Sequence, residues 1–429
     1  MKESGDVEVG LGSRFRRLLG ATLVSSVGTG VHAAALPLLA LRSTSSPMAL
    51  GFVVVAAELP WVLLSLHAGV VVDRWDRRRV MVWADLGRFA VLAALAVLIV
   101  TGRADLVWLV LAAFLLGVGQ VFFDLAAQSA VPDFVSRDPR RLATANGRIA
   151  AAESTGEDFV GPPVGSALFG VGNFLPFAGN ALSFAASGLV ILSIRADAKP
   201  KEKSGARRES VRNDIGEGVG FLFRNRTLRA LAVVSCLGNV AATAQFAMLA
   251  LLAEEVLGLP DFGFGLLLTA TAVGATVGGL ASAAAGRRFG PGTVVLTGKA
   301  GVGAAILVLG LVANAWVAGA MMVVTGALMT AEKVVVSTVR QRIVPDEILG
   351  RVLSSSRLVV MACGPIGAAL GGVLATVFTV RVSYVVAGVF LILVAVVFRP
   401  VLDNRALASA TNEVVRRPAR RVAGTDGRG

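Results

Sequence analysis

The sequence predicts an all-α polytopic membrane protein whose twelve transmembrane helices form two pseudo-symmetric six-helix bundles. Three observations carry this expectation. The 429-residue chain is 55% hydrophobic and 16% charged, with a mean hydropathy of +0.74, whereas ordinary soluble domains are about 25% charged. Its apolar residues gather into stretches of the ~20 residues needed to cross the hydrocarbon of a bilayer. The two halves of the chain also repeat one another in order.

The expected spans run near 16–40, 48–72, 80–100, 105–127, 145–169, 174–194, 228–252, 261–285, 293–313, 316–336, 357–378 and 381–398. Hydropathy alone defines the first four. The fifth is the weakest, because it holds ESTGEDFVGPPVG, Glu153 to Gly165, with three carboxylates and two adjacent prolines. The N-terminal MKESGDVEVG is polar and has no cleavable signal pattern, so the first span is expected to be retained. Cys236 and Cys363 each sit inside an apolar run. Neither a disulfide framework nor a zinc site is expected from them, and no metal or cofactor is implied.

A net charge of +13 raises the question of nucleic acid, which the charge distribution answers in the negative. Of the 41 Lys and Arg, 35 fall in the termini, in loops on the N-terminal side of the membrane or in the first turn of a span on that side. The opposite loops hold Arg42, Arg103 and Arg381, while Arg88, Lys299 and Lys333 lie within spans. Basic residues favour the cytoplasmic side. This predicts a multi-pass protein of the inner, cytoplasmic membrane with both termini in the cytoplasm and an even number of spans. Its expected partners are the lipid bilayer, a small-molecule substrate and protons, and the chain is expected to act as a monomer.

The chain then divides into an N-terminal bundle, 1–194, a cytoplasmic linker, 195–227, a C-terminal bundle, 228–398, and a basic tail, 399–429, expected to be disordered. Within the linker, Val211, Ile215, Val219 and Leu222 recur at helical spacing, which predicts an interfacial amphipathic helix leading into span seven. The repeat is visible in three places. SSVGTGVHAAALPLL at 25–39 aligns with SCLGNVAATAQFAML at 235–249, AVPDF at 130–134 with IVPDE at 343–347, and GPPVGSALFG at 161–170 with GPIGAALGG at 364–372. Parallel repeats of this kind place a transporter's substrate between the halves.

After span two comes GVVVDRWDRRR, Gly69 to Arg79. Its arginines satisfy the positive-inside rule, but Asp73 is not explained by topology. An acid there can cap a neighbouring helix N-terminus or pair with basic residues, and Asp85 with Arg88, one turn apart in span three, can join that network. This stretch resembles the loop signature of the major facilitator superfamily, with Asp76 where the family usually has Gly. The twelve spans, the repeat, AVPDF, GPPVG and PDEILGRV together resemble the bacterial macrolide-efflux and enterobactin-exporter subgroup over roughly residues 14–398. The resemblance implies that Gly69, Asp73, Arg74, Arg77 and Arg78 form a cytoplasmic gate. It also implies that spans one, four, seven and ten line a cavity, while spans two, five, eight and eleven meet across the halves.

An ionisable group at the bilayer centre costs about 2.5–3.5 kcal/mol on insertion scales, so each one inside a span is a functional hypothesis. Glu58, mid-span and two residues before Pro60, is a candidate proton carrier or a paired interface acid. His32 reads first as a hydrogen-bonded histidine. Asp124 and Lys299 are expected to pair near the gate or to snorkel. Glu332 and the adjacent Lys333 point about 100° apart and are expected to serve different neighbours. Glu153 and Glu157 share a helix face beside Asp158, and like charges at that spacing repel. The expectation is that one acid of this group carries a proton near neutral pH, or that all are paired to arginines such as Arg148.

Pro162 and Pro163 lack donors, which leaves the carbonyls of Asp158 and Phe159 without helical partners and predicts a kink there. Gly156, Gly161 and Gly165 admit a close neighbour, for which span eight offers Gly274 and Gly278. Gly364, Pro365, Gly367 and Gly371 repeat the device in span eleven. In the family, a Gly-Pro-x-x-Gly motif in span five accompanies exchange of substrate for protons. Two departures stand out: Gln120 occupies span four where many drug–proton antiporters carry an arginine, and Thr29 replaces the subgroup's usual span-one acid.

The expected cavity residues are Thr29, Gln120, Asn239, Gln245 and Glu332 among the polar ones and Phe123, Phe246 and Met322 among the apolar ones. Their aromatic and Met content favours export of an amphipathic small molecule, of drug, antibiotic or siderophore type, by proton antiport and alternating access. An uptake symporter for a small metabolite is the alternative, and a non-transporting receptor is a second. No nucleophile–base, phosphate-loop or metal-ligand spacing occurs, so an enzyme is not expected.

Overall fold

The structure is a computed structural model, and it describes residues 12–44, 46–135, 139–194, 211–345 and 348–405. Most of the tail and the first half of the linker lie outside these residues, as do Asp346 and Glu347 and the side chains of Asp73, Val211 and Ile215.

Side-chain caps punctuate the chain, whose described residues form helices and no strands. The first seven helices are α1 (Gly12–Ser43), α2 (Pro47–Arg74), α3 (Arg77–Val100), α4 (Leu106–Val135), α5 (Pro139–Ser154), α6 (Gly161–Val171) and α7 (Leu175–Leu192). They are followed by α8 (Val211–Arg224), α9 (Arg226–Leu251), α10 (Asp261–Phe289), α11 (Pro291–Leu311), α12 (Ala315–Ile343), α13 (Leu349–Ala362), α14 (Gly364–Val377) and α15 (Val380–Leu402). Helix starts follow from local chemistry. Asn225 Oδ1 accepts from the amides of Thr227 and Leu228, each at 3.0 Å, and Asn314 caps α12 in the same way, satisfying amides that have no helical partner. Between α10 and α11, Gly290 takes φ +83°, a conformation that costs glycine no Cβ clash.

Eleven helical stretches among the described residues are long and apolar enough to cross a membrane. The twelfth span of the sequence reading, span five, is present as a helix but is interrupted. Between α5 and α6, Thr155–Val160 forms a π-helical turn, in which the Gly161 amide donates to the Gly156 carbonyl. The expected disturbance beside Asp158 therefore takes the form of one widened turn. Pro162 and Pro163 at the start of α6 have no amide to continue the α-helical ladder, and a widened turn absorbs the mismatch in register.

The chain divides into two compact units: Met1–Thr44 with Leu59–Ser204, and Ser45–Glu58 with Gly205–Gly429. In the first unit, Phe15, Leu18, Met81 and Ile191 form a buried core with Phe123. In the second, Leu222, Leu228, Val295, Ile343 and Val352 do so. The start of α2 belongs to the second unit. There the Met48 amide donates to Thr376 Oγ1 at 3.1 Å, and a methyl on Gly51 would stand 2.8 Å from the Ala368 carbonyl. Helix α8 docks on α13. Leu222 is buried, Glu217 pairs with Arg351, and a Cβ on Gly218 would lie 2.5 Å from both the Arg351 carbonyl and Ser355 Oγ.

Glycine packing departs from expectation in its choice of partner. A Cβ on Gly161 would meet Gly30 Cα at 2.5 Å, and one on Gly156 would meet Ser26 Cβ at 2.7 Å. The neighbour is α1 of the same unit, and Gly165 abuts Val31. Gly274 and Gly278 instead press on Val323 and Ala327 of α12. The repeat explains this. Gly367 and Gly371 of α14 press on Val240 and Ala244 of α9, just as α6 presses on α1.

Candidate functional site

The first unit holds a buried polar cluster built from five helices, and its anchor is Arg88 of α3. The guanidinium is 1% exposed and pairs with Asp85, which is fully buried one turn earlier. Its carbon lies 4.5 Å from the Phe123 ring centroid and 4.0 Å from that of Phe184. A guanidinium held between two aromatic faces gains cation–π attraction that offsets part of its desolvation. Arg88 Nη1 donates to Gln120 Oε1 of α4 at 2.6 Å, and Gln120 Nε2 donates to Asp124 Oδ1 at 2.9 Å. Gly119 makes room for the arginine, since a Cβ there would stand 2.5 Å from Arg88 Cγ. Span four lacks an arginine, and α3 brings one to it.

The π-helical turn delivers Glu157 to the same cluster. Glu157 is half-buried and within electrostatic reach of Asp124, Glu153, Asp158 and Arg88. Its backbone packs on α1, where a Cβ on Gly30 would meet the Glu157 carbonyl at 2.5 Å. Asp158, one residue on, is exposed and accepts from Ser154 Oγ at 2.8 Å. His32 of α1 faces α7, with its Nδ1 2.9 Å from Asn180 Nδ2. Gly28 leaves the space that the Asn180 amide and Ser183 hydroxyl fill. Thr29 turns its hydroxyl back onto the Ser25 carbonyl at 3.1 Å.

Below this cluster in sequence, the arginine-rich turn fastens helix ends. Arg77 donates to the Ser129 carbonyl of α4 at 2.6 Å. Arg78 donates to the carbonyls of Ile191 and Leu192 at the end of α7, where unpaired carbonyls and the helix dipole favour a cation. Asp76 Oδ1 accepts from the Arg79 amide at 3.1 Å and caps α3. Asp76, the residue that departs from the family pattern, is thus a cap for α3, while the side chain of Asp73 lies outside the described residues. Arg74 is exposed and nothing crowds Gly69. Arg88 is engaged by Gln120 of α4, and Asp85 is engaged by Arg88.

Residues 12–420 match the sequence profile of a family described as transmembrane secretion effector. The chain belongs to that family, within the major facilitator superfamily. It is a multi-pass membrane transporter and not an enzyme. It is 28% identical over 409 residues to the multidrug efflux pump Tap of Mycolicibacterium fortuitum, covering 91% of this chain and 97% of that protein. The protein of the same name from Mycobacterium tuberculosis is 27% identical over 370 residues, 83% of this chain and 85% of its own length. Among solved structures, a bacterial homologue of the lysosomal transporter Spinster superposes with TM-score 0.74 at 16% identity, covering 92% of this chain and 97% of that one. The nucleoside transporter NupG does so with TM-score 0.73 at 13% identity, covering 91% and 99%. At these identities the structures speak for the fold.

The second unit of this family member carries a parallel polar pair. Lys299 of α11 reaches Glu332 of α12 at 2.9 Å, with both side chains at most 10% exposed. The lysine lies against Gly238 of α9. Lys299 is therefore a buried ion-pair partner and does not snorkel. Lys333 is exposed. Extending the repeat would have revealed this, because Arg88 and Lys299 are 211 residues apart and Gln120 and Glu332 are 212. In each half a cation from the third span meets a polar group on the fourth.

The remaining candidates are dispersed. A Glu58 carboxylate oxygen lies 3.9 Å from where a Gly364 side chain would begin, with Asn239 Nδ2 3.3 Å from the same point. Asn239 donates to the Val360 carbonyl at 3.0 Å and Thr243 to the Gly364 carbonyl at 2.9 Å, beside the break between α13 and α14 that precedes Pro365. Of the residues read as cavity lining, Phe123 is spent on Arg88. Gln245 and Met322 are buried against each other at 3.5 Å, with Tyr384 donating to the Gln245 carbonyl at 2.9 Å. These three are core in the structure. Phe246 is 42% exposed.

Proposed function

We propose that this transporter exports amphipathic small molecules across the cytoplasmic membrane in exchange for protons, through alternating access of its two repeats. Export is supported by the relatives named as multidrug efflux pumps over nearly the whole chain. One observation carries the proton reading: Glu157 lies within electrostatic reach of Asp124, Glu153 and Asp158 as well as of Arg88, which Asp85 pairs. Like-charged carboxylates crowded together in a low-dielectric site are costly to keep all ionised. A proton on Glu157, or a cationic part of the substrate, relieves that repulsion, and competition between the two is antiport. The π-helical turn places Glu157 on the surface that packs against α1, so a change in its charge bears directly on that helix contact. By the distribution of Lys and Arg, both termini and the α8 linker face the cytoplasm, and the chain acts as a monomer.

The test is accumulation of labelled lipophilic compounds in cells with and without the gene, each with and without a protonophore. Export predicts lower accumulation in expressing cells, and coupling predicts that the protonophore abolishes the difference. Equal accumulation across a broad panel would overturn export, and a difference insensitive to the protonophore would overturn proton coupling.

A further inference from the structure

The cavity between α11 and α15 belongs to neither polar cluster. It measures about 530 Å³ and is lined by residues 293–300 of α11 and 395–405 of α15 and its end. Its polar end presents Arg399 and Arg405 together with Thr293 and Thr297. Its other wall is Leu296, Ala300, Ala395 and Val396. Val396 and Val397 are 63% and 66% exposed, on a helix apolar enough to span the bilayer, so the apolar wall opens toward the acyl chains. Asn404 already fills the α11 N-terminus, accepting from the amides of Gly292 and Thr293 at 2.8 and 3.2 Å. Its amide in turn donates to the Phe289 carbonyl at 2.8 Å, so the cavity floor is fixed. Asp403, the one acid in the lining, has its own polar contact.

We propose that this cavity binds an anionic phospholipid, with the phosphodiester held by Arg399, Arg405 and the threonine hydroxyls and one acyl chain along Leu296 and Val396. Two guanidiniums at the edge of an apolar groove match a headgroup that carries negative charge at the end of hydrocarbon. Arg287 and Arg288, exposed at the end of α10, extend the positive field beside it. The chain's own tail is a poor occupant, because residues 406–429 carry five arginines against Glu413 and Asp426. That tail adds to the attraction for an anionic leaflet instead. A zwitterionic lipid brings a quaternary ammonium against the two guanidiniums together with its phosphodiester, which weakens its hold.

The experiment uses the full chain purified in detergent, with lipid adducts counted by native mass spectrometry. Dioleoylphosphatidylglycerol should bind about 30-fold more tightly than dioleoylphosphatidylcholine, the preference two basic residues supply. R399Q/R405Q should erase that preference, R399K/R405K should keep most of it, and R287Q/R288Q, which removes the same charge outside the cavity, should keep most of it too. L296W, with both arginines intact, should lose phosphatidylglycerol by filling the groove. Should R399Q/R405Q fail to elute as a monodisperse species, L296W and the lysine pair decide. Equal binding of the two lipids, an unchanged preference in R399Q/R405Q, or equal loss in R287Q/R288Q overturns the site. Displacement of the lipid by millimolar glycerol 3-phosphate overturns the acyl-chain half and leaves a phosphate site.

Discussion

Arg88 and Gln120 are joined by a 2.6 Å hydrogen bond, and through it a buried cation on α3 is handed to a helix that lacks its own. The resemblance leads to the expectation of an arginine on span four, and here Arg88 of α3 supplies a guanidinium to that helix. Replacing Arg88 by Gln should abolish transport and destabilise the protein by about 3–5 kcal/mol, the cost of leaving a buried partner unpaired. The swap R88Q/Q120R should recover part of both losses, measured as melting temperature and efflux rate. A swap no better than R88Q alone would mean that the position of the cation matters more than its presence.

Glu157 and Asp158 are adjacent but differ in surroundings, the one half-buried in the cluster and the other exposed beside Ser154. Glu157→Gln should remove the protonophore-sensitive part of efflux and flatten its dependence on external pH. Asp158→Asn should change neither by more than about two-fold, within the ±0.5 kcal/mol typical of exposed sites. Transport assays across a pH series separate the two.

The π-helical turn rests on glycine contacts without slack. Gly161→Ala would put a methyl 2.5 Å from Gly30 Cα and 2.7 Å from the Gly156 carbonyl. Overpacking of this kind costs about 1–3 kcal/mol. The expected result is a lower melting temperature and a several-fold lower maximal export rate with little change in the substrate concentration for half-maximal rate.

Lys299 and Glu332 form a pair buried from both sides. Lys299→Met alone should cost more stability than the double variant K299M/E332Q, because the single change strands a carboxylate. A double-mutant cycle on thermal unfolding reads the coupling directly, and additive effects would show that the pair contributes none.

Asp76 caps α3 where the superfamily usually has Gly. Asp76→Ala should lower stability by about 1 kcal/mol and Asp76→Gly by only a few tenths. Calorimetry of the two variants distinguishes a cap from a gate residue, for which both would impair transport alike.

How much of this was legible in advance depended on whether the signal was local. Hydropathy, the loop arginines and the repeat are properties of short segments, and they sufficed for the family and the helical membrane class. Pro162 and Pro163 announced a disturbed turn, because a missing amide is a local fact. They could not specify that the disturbance would be a π-helical turn pointing Glu157 at its cluster. The glycine partners were misread for a related reason. Gly-x-x-x-Gly spacing states that a helix can be approached closely, but any smooth helix face satisfies it.

The sequence by itself therefore determined the class, the repeat and the inventory of charged groups, since burial of polar atoms in lipid admits so few solutions. Only the tertiary structure decided the pairings: Arg88 with Gln120, Lys299 with Glu332, Gly161 with Gly30, and Phe123 as a cover for a guanidinium instead of a cavity wall. Each joins residues many turns apart on different helices, and which helix faces which is fixed by packing of whole surfaces, a quantity no local spacing contains.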